Sequence, residues 1–179
     1  LQGYGDYVAW CWATLSVLYT NTAGSVSSQV KSSGYFSVVT WNNSSNPCSV
    51  GHGLNAAPDV IISKSLTNTA WSVYHKSLGD NKFLVLNTTN EAATQNNYWS
   101  NTSTTMTFGN STNNNTDSMV AYCWTAEVGA SAFGSYTGTG NSGTVITTGF
   151  EPAWLMVKNL DAAGSWIIFD NTREGGVNN

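Results

Sequence analysis

The chain has 179 residues, of which Ser, Thr and Asn supply 65 (82 with the 17 Gly), whereas charged residues are 9% and aromatics 12%. So many aromatics exclude a disordered chain, and so few Glu, Lys and Arg exclude a helical bundle. A formal charge of −4 with six basic residues leaves no footprint for phosphate contacts, so no nucleic-acid partner is expected.

Thr, Val, Tyr and Trp suit pleated strands, while Gly, Asn and Ser suit turns. The predicted class is all-β. In chain order, Tyr7-Val-Ala-Trp-Cys-Trp12 reads as a strand, 13–19 as one helical turn, and the Ser/Gly-rich stretch 21–34 as a flexible linker. Strands are predicted over 36–41, 59–64, 71–75, 83–87, 105–108 and 119–124, separated by turn-rich loops at the spacing of a sandwich or barrel. Val60-Ile61-Ile62 and Val120-Ala-Tyr-Cys-Trp124 are apolar on both faces, which predicts central strands. The Asn/Thr run 110–116 is a predicted loop. No apolar run approaches the ~18 residues that span a bilayer, so no membrane insertion is expected.

Four blocks recur in the same order. Tyr7-Val-Ala-Trp-Cys-Trp12 returns as Met119-Val-Ala-Tyr-Cys-Trp124, and Phe36-Ser-Val-Val-Thr40 as Phe133-Gly-Ser-Tyr-Thr137. Pro58 with Asp59-Val-Ile-Ile-Ser-Lys64 returns as Pro152 with Ala153-Trp-Leu-Met-Val-Lys158. Trp71-Ser-Val-Tyr74 returns as Trp166-Ile-Ile-Phe169. The connection from Trp12 to Phe36 is longer than that from Trp124 to Phe133. The expected architecture is therefore a set of tandem small β-sandwich domains, jelly-roll-like, in a fragment of a longer repeat-containing protein. Residues 1–32 are the last strand of a preceding repeat plus the linker, 33–126 one complete domain, and 127–179 the start of the next. The opposite phase, with each unit opening on the VAxCW strand, is the alternative.

Three cysteines cannot close a disulfide framework. Cys11 and Cys123 fall in hydrophobic strands, where a thiol acts as a small buried apolar group, and Cys48 falls in a polar loop after Pro47. No CxxC spacing exists, and His52 and His75 lack clustered partners, so no metal or other cofactor is expected. Glycosidase chemistry needs two carboxyls across a cleft. Asp6 and Asp117 precede repeated strands, as turn or cap residues do, while His75 and Asp170 hold equivalent places with different chemistry. Neither a GxSxG nucleophile elbow nor a phosphate-binding glycine loop is present, and no catalytic residue is assigned. Asn-x-Ser/Thr sequons occur at Asn42, Asn43, Asn87, Asn101, Asn110 and Asn114, as a chain this rich in those residues produces by chance.

Binding is the remaining chemistry. A sugar ring pairs an apolar face with a hydroxyl rim, so it suits an aromatic plane beside amide side chains. Trp41 followed by Asn42 and Asn43 is the first candidate, and Tyr98-Trp99 is the second. The alternative is that Trp41 packs beneath its own loop or against a neighbouring chain, and that Tyr98 and Trp99 are core. Trp10, Trp12, Trp71, Trp124, Trp154 and Trp166 lie in repeated blocks and read as structural.

Together YVAWCW and MVAYCW, FGSYTGTGNSG before VITTGFEPAWLMVKN, and GSWIIFDNTREGG resemble a β-rich module of unknown function. That module recurs, often in tandem, in tail-fibre and other virion structural proteins of marine bacteriophages. Gly149 to Trp154 and Trp166 to Arg173 match its hallmark strands, while Leu54 to Ala57 and His75-Lys76 depart from it in the first copy. The resemblance implies no catalytic residues. It implies a non-enzymatic virion structural protein, a tail-fibre or appendage segment involved in host attachment. Its partners would be further copies of itself (a trimer, by analogy with fibres), other virion proteins and a host cell-surface glycan. The competing expectation is a secreted carbohydrate-binding or adhesin module of a bacterial surface protein.

Overall fold

The computed structural model describes residues 9–14, 16–67, 70–109 and 117–172. Thirteen strands are assigned among these residues. They are β1 (Tyr19–Asn21), β2 (Ser28–Ser32), β3 (Phe36–Asn42), β4 (Cys48–Gly51), β5 (Val60–Ser65), β6 (Ser72–His75), β7 (Lys82–Val85), β8 (Ala93–Thr94), β9 (Trp99–Asn101), β10 (Thr105–Phe108), β11 (Ser118–Trp124), β12 (Trp154–Val157) and β13 (Ile167–Asp170). A single 3₁₀ turn, Lys76–Leu78, is capped by the His75 side chain. The fold is all-β with several antiparallel sheets.

Eight strands form one sheet in the order β1-β2-β3-β11-β5-β6-β7-β8, and β4-β10-β9 form a second. Side chains alternate across a strand, so one face of the large sheet collects every second residue. That inner face carries Val39 and Trp41 of β3, Met119, Ala121 and Cys123 of β11, and Ile61 of β5, all buried. It packs on Cys48, Val50, Met106, Phe108 and Trp99 of the small sheet. β11 is flanked by β3 and β5, pairing Tyr122 with Val38 on one side and with Ile62 on the other. Its central position follows from apolar residues on both faces, as the sequence predicts.

The stretch expected to be a flexible linker is instead sheet. β2 pairs with β3, setting Val30 opposite Val39, and Val30 is fully buried. Its Ser residues alternate inward. Ser28 Oγ donates to Gly51 O at 2.8 Å and Ser32 Oγ to Gly53 O at 2.7 Å. Small hydroxyls thus bridge the two layers and satisfy buried carbonyls. β1 adds outside β2. No helical turn forms within 13–19 among the described residues, since Tyr19 already opens β1. Residues 133–137, which the sequence repeat aligns with 36–40 of β3, carry no ladder. β12 and β13 form a separate two-stranded sheet. It docks beside β7 through Trp166 Nε1 to Val85 O (3.3 Å), Gly164 N to Thr89 O (2.7 Å) and Ala92 N to Leu160 O (3.1 Å).

Two cysteine expectations are overturned. Cys11 is exposed, because Ala9–Trp12 joins no ladder, and Cys48 is buried, because it belongs to β4 and not to a loop. Cys123 is buried as expected, 3.6 Å from Met106 Sδ, and burial pushes its thiol up to about 12. Among these three, iodoacetamide should alkylate Cys11 in the native protein and reach Cys48 and Cys123 only after denaturation, because the thiolate is the nucleophile and needs access. Peptide mass spectrometry reads the result. Rapid native labelling of Cys123 would contradict the packing.

Candidate functional site

The face of the large sheet turned away from the core holds the remaining alternate residues of the same strands. Phe36 and Val38 of β3, Tyr122 and Trp124 of β11 and Ile62 of β5 lie side by side through the pairs Trp124↔Phe36, Tyr122↔Val38 and Tyr122↔Ile62. With Trp71, just before β6, they floor an open-sided groove of about 540 Å³, and Trp10, Cys11 and Trp12 wall it. The rings touch in sequence. Phe36 and Trp124 centroids are 5.1 Å apart, Trp12 and Trp124 5.7 Å, and Trp71 stacks near Tyr122 at 6.3 Å. Lys64 Nζ sits 5.7 Å from the Trp71 ring centroid, within cation–π range. Such a surface can hold apolar side chains or the apolar face of a sugar ring; among the described residues no carboxylate lines it.

The residues singled out from sequence lie elsewhere. Trp41 is 4% exposed and Trp99 2%, and both rings contact Phe108, at 5.0 and 5.3 Å. Tyr98 stacks on Phe83 at 4.0 Å, and its hydroxyl lies 3.1 Å from Ser72 Oγ. Asn42 is exposed and accepts from Ser118 Oγ at 2.8 Å, while Asn43 is buried, its backbone N–H bonded to Asp117 O. Trp41, Tyr98 and Trp99 are therefore core residues in this chain, with no ring face open to a ligand. Parity explains it: Trp41 lies two residues from Val39 and shares its inner face. The groove residues were assigned to structure for recurring in both copies. The signal that could have found them was the double-sided apolar pattern of β5 and β11, whose second face must be covered by something.

A smaller notch of about 240 Å³ lies beyond β9, lined by Pro47, Gln95, Asn96, Asn97 and Gly109. Asn97 adopts a left-handed backbone (φ 55), held by its N–H donating to Asn81 Oδ1 at 2.8 Å. It offers amide hydrogen bonds without an aromatic plane. Among the described residues no group of three or more His, Cys, Asp and Glu could hold a metal ion, and no helix is long and apolar enough to cross a membrane.

The histidines are structural. His52 is fully buried, with Nδ1 accepting from Leu54 N at 3.0 Å and Nε2 3.2 Å from Thr102 O, which fixes the neutral tautomer protonated on Nε2. Burial pushes its pKa below the ordinary histidine value, against the Thr102 hydrogen bond. His75 is lowered too, by burial and then by Lys76, with Asp59 opposing. The unfolded chain therefore takes up these protons first as pH falls. Stability is unpenalised above about pH 6.5 and declines as pH drops through that value and below. Thermal melts from about pH 8 to about pH 5 should show a falling Tm. The fall should be smaller in His52→Asn, whose Oδ1 can still accept from the Leu54 N–H. An identical decline in both proteins would remove His52 from the account.

The chain belongs to the DUF7483 family, a domain of unknown function, which it matches over residues 2–179. No curated protein and no solved structure matches it.

Proposed function

We propose that this DUF7483 domain is a non-enzymatic structural domain of a virion, part of a tail fibre or another external appendage that serves host attachment, built from tandem jelly-roll-like units. The observation that carries this reading is the aromatic groove on the outer face of the large sheet, together with the apolar residues the C-terminal part leaves in water. Val128, Val145, Ile146, Leu155, Ile167 and Phe169 are all at least 38% exposed. Leu155 and Phe169 stand directly opposite each other on the hairpin, and exposed apolar surface of this kind suits a place where another chain packs. A surface of neutral hydroxyls and amides around it suits extended contacts between subunits, because it carries little like-charge repulsion. The expected assembly is an elongated homo-oligomer, a trimer on the analogy with fibres. Mass spectrometry of purified virions should find the protein, and light scattering of the full-length protein should give a multiple of the monomer mass. A monomeric protein absent from virions would overturn the reading.

The second reading is a secreted carbohydrate-binding or adhesin module, and the same groove favours it. Trp71 and Trp124 offer partly exposed rings, with Lys64 beside Trp71 to reach a hydroxyl or an acidic group. Under this reading a glycan array gives binding that Trp71→Ala abolishes without lowering Tm. Retained binding in that variant would reject it.

A further inference from the structure

None of the eight strands of the large sheet contains Asp or Glu, whereas three of the chain's six basic residues, Lys31, Lys64 and Lys82, fall in them. All three take outward positions. Lys31 stands opposite Val38, Lys64 opposite Val120, and Lys82 two residues from Leu84, which pairs through Val73 with Ile62. The protein as a whole carries −4, so the outer face of this sheet is a local reversal of sign. The carboxylates nearest in sequence, Asp59 before β5 and Asp117 before β11, are engaged elsewhere. Asp59 binds Lys76 Nζ at 2.9 Å and accepts from Ala126 N at 2.6 Å, and Asp117 accepts from the buried Ser65 Oγ at 2.6 Å.

The aromatic floor has a regularity of its own. From Trp71 to Tyr122, Tyr122 to Trp124 and Trp124 to Phe36 the ring planes differ by 27°, 30° and 32°. Trp12 of the wall meets Trp124 at 73° and so stands upright to that floor. Successive rings of similar orientation offer their faces to a flat, ribbon-like ligand. Lysines lie at both margins of this floor. The pairs Lys31↔Val38, Val38↔Tyr122 and Tyr122↔Ile62 cross three inter-strand steps, and Lys64 lies two residues beyond Ile62. Strand spacing and rise put the two lysine Cα atoms about 16 Å apart, with Tyr122 between them.

We propose that the groove takes an anionic oligosaccharide, with sugar faces on Trp71 and Tyr122 and acidic groups on Lys64 and Lys31. The proposal rests on the carbohydrate reading of the groove and adds to it the class of glycan. A neutral glycan would use the rings and make nothing of the lysines, whereas an acidic one uses both. Lys64 already sits 5.7 Å from the Trp71 ring centroid, so a sugar stacked on Trp71 brings its acidic substituent beside a cation. A lysine ammonium is a point charge on a flexible stem and selects for negative charge, carboxylate or sulfate, more than for one sugar. The separation of Lys31 from Lys64 calls for a ligand of several sugar units. Nucleic acid fits less well, because its closely spaced phosphates ask for a run of cations that two lysines do not supply.

Isothermal titration calorimetry of the full chain tests the proposal with three oligosaccharides of matched length: oligogalacturonate for carboxylate, a sulfated galactan oligomer for sulfate, and neutral cellohexaose. At low salt, at least one acidic ligand should bind about tenfold tighter than the neutral one. That advantage should fade as salt rises to about 0.5 M, since the lysines lie in water and are screened. Lys31→Gln and Lys64→Gln should each weaken acidic binding about fivefold and leave neutral binding unchanged. Trp71→Ala should abolish both, because it removes the ring. Equal affinity for the neutral oligomer, or acidic binding unchanged in both lysine variants, would overturn the proposal and leave the carbohydrate reading standing. Tighter binding of oligothymidylate would overturn it in favour of a nucleic-acid strand stacked on the same rings. Binding of no glycan at all would end the proposal and the carbohydrate reading together.

Discussion

Trp41→Ala should destabilise the fold by about 3–5 kcal/mol, the cost of emptying a large aromatic site in a close-packed core. Trp41 is 4% exposed, sits on the inner face of β3 and packs on Phe108 of the facing sheet at 5.0 Å. Removing the indole leaves a cavity between two layers that are each tied by hydrogen-bonded ladders and so relax little. Trp41→Phe should cost much less, because it keeps an aromatic ring, and the indole Nε1–H it removes has no hydrogen-bond partner among the described residues. Urea unfolding monitored by far-UV circular dichroism checks both. A loss below about 1 kcal/mol for the alanine variant, the range of surface positions, would place the ring outside the core and restore Trp41 as a ligand residue. Loss of glycan binding by this variant would not by itself identify a sugar site, since the sheet that carries the groove depends on the same packing.

The second large effect is expected at Val30→Asp. Val30 is fully buried in β2, opposite Val39, with Val26 and Val50 in the same core. A carboxylate there has lost its water and gained no cation, so it either stays charged at high cost or folds only when protonated. The expected loss exceeds about 4 kcal/mol, a large share of the ~5–15 kcal/mol that holds a typical domain together. Lys31→Asp, one residue along and exposed on the other face, should change stability by no more than about 0.5 kcal/mol. A flexible linker would tolerate both equally. Matched unfolding curves for the two variants would therefore refute β2 as a core strand, and a wide gap between them would support it.

How legible the fold was depended on which residues carried the alternation. Where a strand carries a run of large apolar residues, as Val38 to Trp41 in β3, Val60 to Ile62 in β5, Met106 and Phe108 in β10 and Met119 to Trp124 in β11, the strand stands out and its limits fall within a residue or two of the structure. In β2 the alternation is written Ser28, Val30, Ser32, and serine reads as turn or linker unless a buried carbonyl is known to await it. Cys48 and β4 were hidden for a similar reason. A four-residue strand beside Pro47 and Gly51 resembles a loop until Met106 and Phe108 of β10 are seen opposite Val50 and Cys48. Repetition was no guide to which face of a strand a residue takes. Trp124 and Trp71 recur and yet lie on the outer face, whereas the unrepeated Trp41 is core.

Composition and periodicity alone determined the all-β class, the central place of β11 and β5, and the alignment of two hairpins, β5-β6 and β12-β13, whose registers coincide. Those features are local: a strand's faces and its apolar demand are set by its own residues. Only the tertiary structure decided which face of the large sheet meets β4-β10-β9 and which is left as the groove. Both faces of β5 and β11 are apolar, so sequence gives them equal claims. The choice is made by residues far away along the chain, through Phe108 and Trp99 filling the space beneath Trp41 and Tyr74, and no local pattern contains that information.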